Sequence, residues 1–177
     1  MPFSLSRTLS TSSDQINKFQ AGKYDEALYR SFIEIDKTLS TKEAKQEMLK
    51  IREKNPEGKN PFLELLGLND AMDRGDDNIM EMLDNIGCTA NVLFIHDGMY
   101  YCANAGDSRC VLSQRGRAIE LSEDHKPENP REYERIINAG CDVIDGRVDG
   151  NLNLSRSLGD LKHKQVKNLP VTEQPIT

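Results

Sequence analysis

The chain has 177 residues, enough for one domain with its own core, and at 37% hydrophobic and 29% charged residues it has a globular composition. A formal net charge of −6 argues against nucleic acid or anionic membrane as a partner and suits a protein that binds cations. No apolar run approaches the roughly 18 residues that a membrane span needs.

Met1 to Ser13 is rich in Ser and Thr, carries Arg7 as its one charge and lacks the apolar segment of a secretory signal. It is expected to be a disordered tail ahead of one domain over residues 14–177. From Asp14 a helical stretch runs toward Leu39, broken or restarted at Gly22. Tyr24, Leu28, Phe32, Ile35 and Leu39 fall on one face of it. Ser40 with Glu43 has the spacing of a capping box, so a second helix is expected to run from there to Glu53, burying Met48, Leu49 and Ile51. A loop at Asn55–Pro61 and a short apolar helix over Phe62–Met72 come next. The acidic stretch Asp73–Asp84 reads as a solvated face or linker, and Asp76-Asp77 would hold a cation only if other ligands converged on them.

From Thr89 the period turns extended. Val92 and Phe94 share one face, Asn91, Leu93 and Ile95 the other, and both faces are expected to be buried. Asp97-Gly98 is a hairpin turn signal, and Met99–Ala105 is the returning strand. Arg109–Ser113, a turn at Gly116 and Ala118–Leu121 extend this to a four-stranded antiparallel meander. Pro127 and Pro130 open a helix over Arg131–Ala139, which Gly140 caps. Val143-Ile144, Arg147-Val148 and Asn151–Leu154 form a further hairpin region with its turn at Asp149-Gly150. Helices first and strands later make the class α+β with layered sheets.

Four cysteines, Cys88, Cys102, Cys110 and Cys141, show neither CxxC spacing nor a histidine at a metal-ligand interval. Reduced thiols in the cytosol or nucleus are expected.

Asp107 is the leading site candidate. It follows Gly106 at a strand end, where the backbone turns sharply and a carboxylate projects toward solvent, as a hard cation such as Mg²⁺ or Mn²⁺ requires. The same Gly-Asp-Ser is also a common turn in which Asp caps its own backbone. Arg109 could clamp a phosphate or pair with a neighbouring carboxylate. His125 could be a general acid or a hydrogen-bonded structural residue. Ser155–Asp160 repeats the hydroxyl, guanidinium, glycine and carboxylate theme, with Asp160 a second acidic site residue or a turn cap. Ser108 has no base and orienter beside it, so a serine nucleophile has little support.

GCTANVLFI, YYCANAGDSRCVL, LSEDHKP, ERIINAGCDV and GRVDGNLNLSRSLGD, in that order from Gly87 onward, resemble the metal-dependent protein phosphatase family, protein phosphatase type 2C. The resemblance implies a sandwich of two antiparallel sheets flanked by helices and hydrolysis of phosphoserine and phosphothreonine in protein substrates by a water bridging two Mg²⁺ or Mn²⁺ ions. A monomer is expected. Asp107 matches the aspartate of a third, weaker metal position, and Arg156 and Asp160 match the family's SRxLGD segment near the site.

The departures from the family pattern are as informative. The Asp-Gly-His-Gly-Gly motif that supplies the metal pair with a bridging aspartate and a glycine carbonyl occurs nowhere in the chain. The acidic and arginine residues upstream of that motif and the aspartates near the family's C-terminus are absent as well. The chain is therefore expected to be the central portion of the domain, a fragment with little or no activity alone. The alternative is a non-catalytic, phosphatase-like module that binds phosphoproteins or a partner.

Overall fold

The computed structural model describes residues 13–53 and 77–177. The expected tail up to residue 12, the loop at 55–61, the helix over Phe62–Met72 and Asp76 lie outside them.

Helix α1 (Ser13–Gln20) stops where Gly22 takes φ +76°, and α2 (Tyr24–Leu39) starts afresh, as the sequence suggests. Ala27 is the buried residue of α2, while Tyr24, Leu28, Phe32, Ile35 and Leu39 are half-buried along one side. Helix α3 (Lys42–Glu53) is capped one residue later than expected. Thr41 Oγ1 accepts the Ala44 N–H at 3.2 Å, whereas Ser40 Oγ donates back to Lys37 O at 2.7 Å and closes α2. The supposed acidic linker is in part a helix, α4 (Asp77–Asp84). Leu83 is buried and Asp84 is held by Lys45 at 2.6 Å, so one side of this stretch turns inward rather than facing solvent throughout.

The strands form four antiparallel two-stranded ladders among the described residues. β1 (Gly87–Cys88) pairs with β8 (Leu158–Gly159), β2 (Ala90–His96) with β3 (Met99–Ala105), β4 (Val111–Gln114) with β5 (Arg117–Glu120), and β6 (Val143–Ile144) with β7 (Arg147–Val148). The architecture is α+β, helices beside small antiparallel sheets.

The expected four-stranded meander resolves into two separate hairpins. No ladder joins β3 to β4 among the described residues, because residues 106–110 leave β3 to bond with the loop at 122–125 instead. β2 is also less buried than its apolar sequence implies. Val92, Leu93 and Ile95 are exposed, and cover is confined to Phe94, on which the rings of Phe19 and Tyr24 pack at 5.3 and 5.1 Å. A two-stranded ribbon offers too little neighbouring surface to cover both faces.

The chain turns twice here, at Asp145-Gly146 between β6 and β7 and, as expected, at Asp149-Gly150, all four residues at positive φ. Asp149 also bonds back to the strand before: its N–H donates to Asp142 O at 2.8 Å and its Oδ1 accepts the Asp142 N–H at 2.9 Å. Beyond it only a bridge from Val148 to Leu152 forms, not a strand over Asn151–Leu154.

The core lies here. Ile136 of α5 (Pro130–Asn138), Val148 of β7 and Ile176 are wholly buried, with Cys141, Val143 and Leu152 packed around them. Pro130 at the first helical turn and Gly140 at φ +86° just past its end bound α5 as the sequence predicts. Two short 3₁₀ turns, Leu161–Lys164 and Val171–Glu173, complete the chain.

Candidate functional site

Asp107 sits in the turn after β3, and a set of backbone and side-chain bonds fixes that turn. Gly106 donates its N–H to His125 Nδ1 at 3.3 Å and accepts the His125 N–H at 3.0 Å. Asn104 Nδ2 reaches Gly106 O at 3.0 Å and Glu123 O at 2.7 Å, and Thr89 and Ser108 share a hydroxyl hydrogen bond of 2.7 Å. Gly106 needs to be glycine twice over. Its φ is +103°, and a Cβ there would lie 2.5 Å from Thr89 Cγ2 and 2.9 Å from Thr89 Cβ.

The turn therefore presents Asp107 from a rigid base, but the carboxylate is engaged: Lys126 holds Asp107 Oδ2 in an ion pair. Arg109 is taken up by a carboxylate. It grips Asp124 through Nε and Nη2 at 2.7 and 2.8 Å, the commoner of the two fates open to it. That hydrogen bond holds the Asp124 carboxyl below its ordinary range. His125 is the structural residue rather than a general acid. Its Nδ1 accepts a backbone N–H, its carbonyl accepts the Ser155 N–H at 3.2 Å, and burial followed by the charge of Arg156 pushes its pKa down, so it is neutral near pH 7.

Arg156 and Asp160 leave Asp107 for other partners. The Arg156 guanidinium binds Glu132 of α5 with Nη2 at 2.6 Å and Nε at 3.0 Å. Arg135, one helical turn on, meets the same carboxylate at 2.9 Å and also donates to Ser155 O at 2.7 Å and Thr177 Oγ1 at 3.1 Å. Asp160 is buried, left-handed at φ +48°, and its backbone N–H donates to Ile86 O at 2.9 Å. Its carboxylate packs on Gly87. Its backbone makes the turn, and its side chain forms no capping hydrogen bond there. Asp36 of α2 accepts the Gly159 N–H at 2.8 Å and pairs with Lys164, which ties the first long helix to the SRSLGD segment.

Between α2 and this segment lies a cavity of about 360 Å³ with Tyr29, Phe32 and Ile33 on one side and Arg131, Arg135 and Arg156 on the other. Asp107 does not line it.

Glu132, Asp36, Lys126 and Lys164 shape the site without having stood out in the sequence. Two signals were available. Asp36 interrupts the apolar face of α2 one turn after Phe32, and Glu132 stands in the first turn of a helix, where a carboxylate is favoured by the exposed N–H groups. Lys126 and Lys164 carry no comparable local signal.

The donor set does not fit a pair of divalent ions. Among the described residues no three His, Cys, Asp or Glu side chains come together as a metal cluster, and the best-placed carboxylate is already paired with an ammonium group.

Comparison with known proteins supplies the family. The model of the family described as Protein phosphatase 2C matches residues 43–177. Two similar curated proteins come from Paramecium tetraurelia. "Probable protein phosphatase 2C 2" is 40% identical over 158 residues, covering 89% of this chain and 44% of that protein. "Probable protein phosphatase 2C 4" is 41% identical over 163 residues, covering 92% and 46%. The chain thus spans less than half the length of these relatives. A solved structure of a phosphatase from Toxoplasma gondii is 30% identical, with a TM-score of 0.40, over 52% of this chain and 40% of that one.

Proposed function

The chain belongs to the protein phosphatase 2C family, and on that premise we propose that it serves in the Mg²⁺- or Mn²⁺-dependent hydrolysis of phosphoserine and phosphothreonine in protein substrates. The observation that carries this reading is the Gly106–Ser108 turn. The family's motif over these residues folds into a strand-end platform whose carboxylate, Asp107, stands at the surface on a base braced by His125 and Asn104. Arg156, Glu132 and Asp160 frame the platform rather than contribute reacting groups. We assign Asp107 as the single metal-ligand carboxylate that the described residues offer, and Arg156 and Asp160 as site-proximal supports.

Because those residues do not assemble a dinuclear site, the 177-residue chain is expected to hydrolyse little or no phosphopeptide alone. Full activity requires further carboxylates beside Asp107. The setting we propose is a monomer in the cytosol or nucleus, where four free cysteines stay reduced.

The lone, ion-paired carboxylate favours one other reading, a non-catalytic module that binds phosphoproteins. The test is hydrolysis of a phosphothreonyl peptide, with Mn²⁺ or Mg²⁺ added, by the protein purified as its cells make it. Turnover that disappears with Asp107→Ala supports the phosphatase. Peptide binding without turnover in either protein supports the module.

A further inference from the structure

The cavity between α2 and the SRSLGD segment carries charge that its own residues do not balance. Arg131, Arg135 and Arg156 line it, and among the described residues Asp36 is the one carboxylate that does. Asp36 is already paired with Lys164 and accepts the Gly159 N–H at 2.8 Å, so its charge is matched elsewhere. Glu132 does not line the cavity, and its single charge is shared by Arg135 and Arg156. Arg131 makes no side-chain hydrogen bond or ion pair with a described residue. Three guanidinium charges against the one charge of Glu132 leave two positive charges in excess. Burial above all, with the charges of Arg156 and Arg131 adding to it, holds the Arg135 pKa below its ordinary value in spite of Glu132.

Two donors at the cavity are independent signs of a ligand. Arg135 Nε and Ser157 Oγ are buried with no hydrogen-bond partner among the described residues, and Ser157 is only 1% exposed. Both residues line the cavity. A buried donor without an acceptor is destabilising, and folded proteins seldom keep one unless a bound group completes the bond. Tyr29, Phe32 and Ile33 of α2, with Leu158, supply apolar surface beside these donors, and a volume of about 360 Å³ suits a small organic molecule.

We propose that this cavity binds a small organic anion, an acid group carried on a flat or branched apolar body. The acid group meets Arg131, Arg135 Nε and Ser157 Oγ, where charge-assisted hydrogen bonds form in a poorly solvated setting. The body rests on Phe32, Ile33 and Leu158, an area that an inorganic anion leaves uncovered. The site is separate from Asp107, which does not line the cavity.

The experiment is isothermal titration calorimetry of the full chain with 2-naphthoate, and with 2-naphthamide as its uncharged counterpart. Naphthoate is expected to bind one to one with a dissociation constant of about 1 mM or tighter, and the amide at least about tenfold more weakly. Arg131→Gln, at an exposed position, should weaken naphthoate binding about five- to tenfold. Ser157→Ala should weaken it about three- to tenfold without lowering the urea midpoint, because the hydroxyl has no hydrogen bond to lose. Asp107→Ala, shown to be folded by circular dichroism, should bind naphthoate as the native chain does, which separates this site from the phosphatase reading. Four results would overturn the proposal: equal affinity for acid and amide, no binding of the acid at about 10 mM, unchanged binding in either Arg131→Gln or Ser157→Ala, or loss of binding in folded Asp107→Ala.

Discussion

Arg156 grips Glu132 through two nitrogens, at 2.6 and 3.0 Å, around a residue that is only 4% exposed. Arg135 reaches the same carboxylate at 2.9 Å, so one buried negative charge holds two guanidinium groups that would otherwise repel each other. From this cluster the SRSLGD segment, α5 and the C-terminal residues are joined.

Removing the shared anion should be among the most damaging single changes. Glu132→Ala leaves Arg135 and Arg156 facing each other in a poorly solvated site, and a loss of about 3–5 kcal/mol is expected. Urea unfolding followed by circular dichroism measures it. A change below about 1 kcal/mol would mean that solvent relieves the two cations.

The same carboxylate makes the fold acid-sensitive. Burial alone would raise the Glu132 pKa, but the Arg156 hydrogen bond and the charges of Arg135 and Arg156 outweigh it, and the folded value lies below the ordinary 4.5. Its contribution to stability is present above 4.5 and is lost as pH falls through the folded value. The urea midpoint of the native chain should therefore fall steeply below pH 4.5, and Glu132→Gln should flatten that fall.

His125 acts in a separate window. Its folded pKa lies below 6.5, because burial disfavours the charged ring, so the unfolded chain takes up the proton first. Stability is full above pH 6.5 and declines as pH drops from 6.5 toward the folded value. His125→Asn should erase that step, and the proton NMR titration of the His125 ring should have its midpoint below 6.5.

Gly106 has no room for a side chain. Gly106→Ala combines a φ of +103° with a Cβ pressed against Thr89, and a cost of about 2–3 kcal/mol is expected from the backbone strain and the clash together. Pairing it with Thr89→Ala or Thr89→Ser tests the cause. Relief of the clash should recover part of the loss, whereas no recovery would place the whole cost in the backbone.

Much of this structure is legible in the residues, and the limits have physical causes. Asp97-Gly98, Gly22, Pro130 and Gly140 mark their elements because each backbone conformation is dictated by the residue itself. Asp145-Gly146 and Asp149-Gly150 are chemically the same signal, and both are turns. Sequence did not show which of the flanking residues is buried: the turn at Asp145-Gly146 places Val148 opposite Val143 and wholly inside. The meander failed for a similar reason, since the course of the chain after β3 is decided by Asn104 and His125, residues whose partners lie 19 positions away. Asp107 was visible as a strand-end carboxylate, but its pairing with Lys126 and the burial of Glu132 against two arginines are tertiary facts.

The proposal is that the described residues frame part of a protein phosphatase 2C domain and offer a metal ion one acidic ligand, Asp107. Titration of Mn²⁺ into the purified chain, followed by electron paramagnetic resonance, tests it most directly. The expected result is at most one ion, bound with a dissociation constant on the order of 1 mM or weaker. That binding should vanish with Asp107→Ala and strengthen with Lys126→Ala. Two spin-coupled ions bound at micromolar concentration would contradict the account.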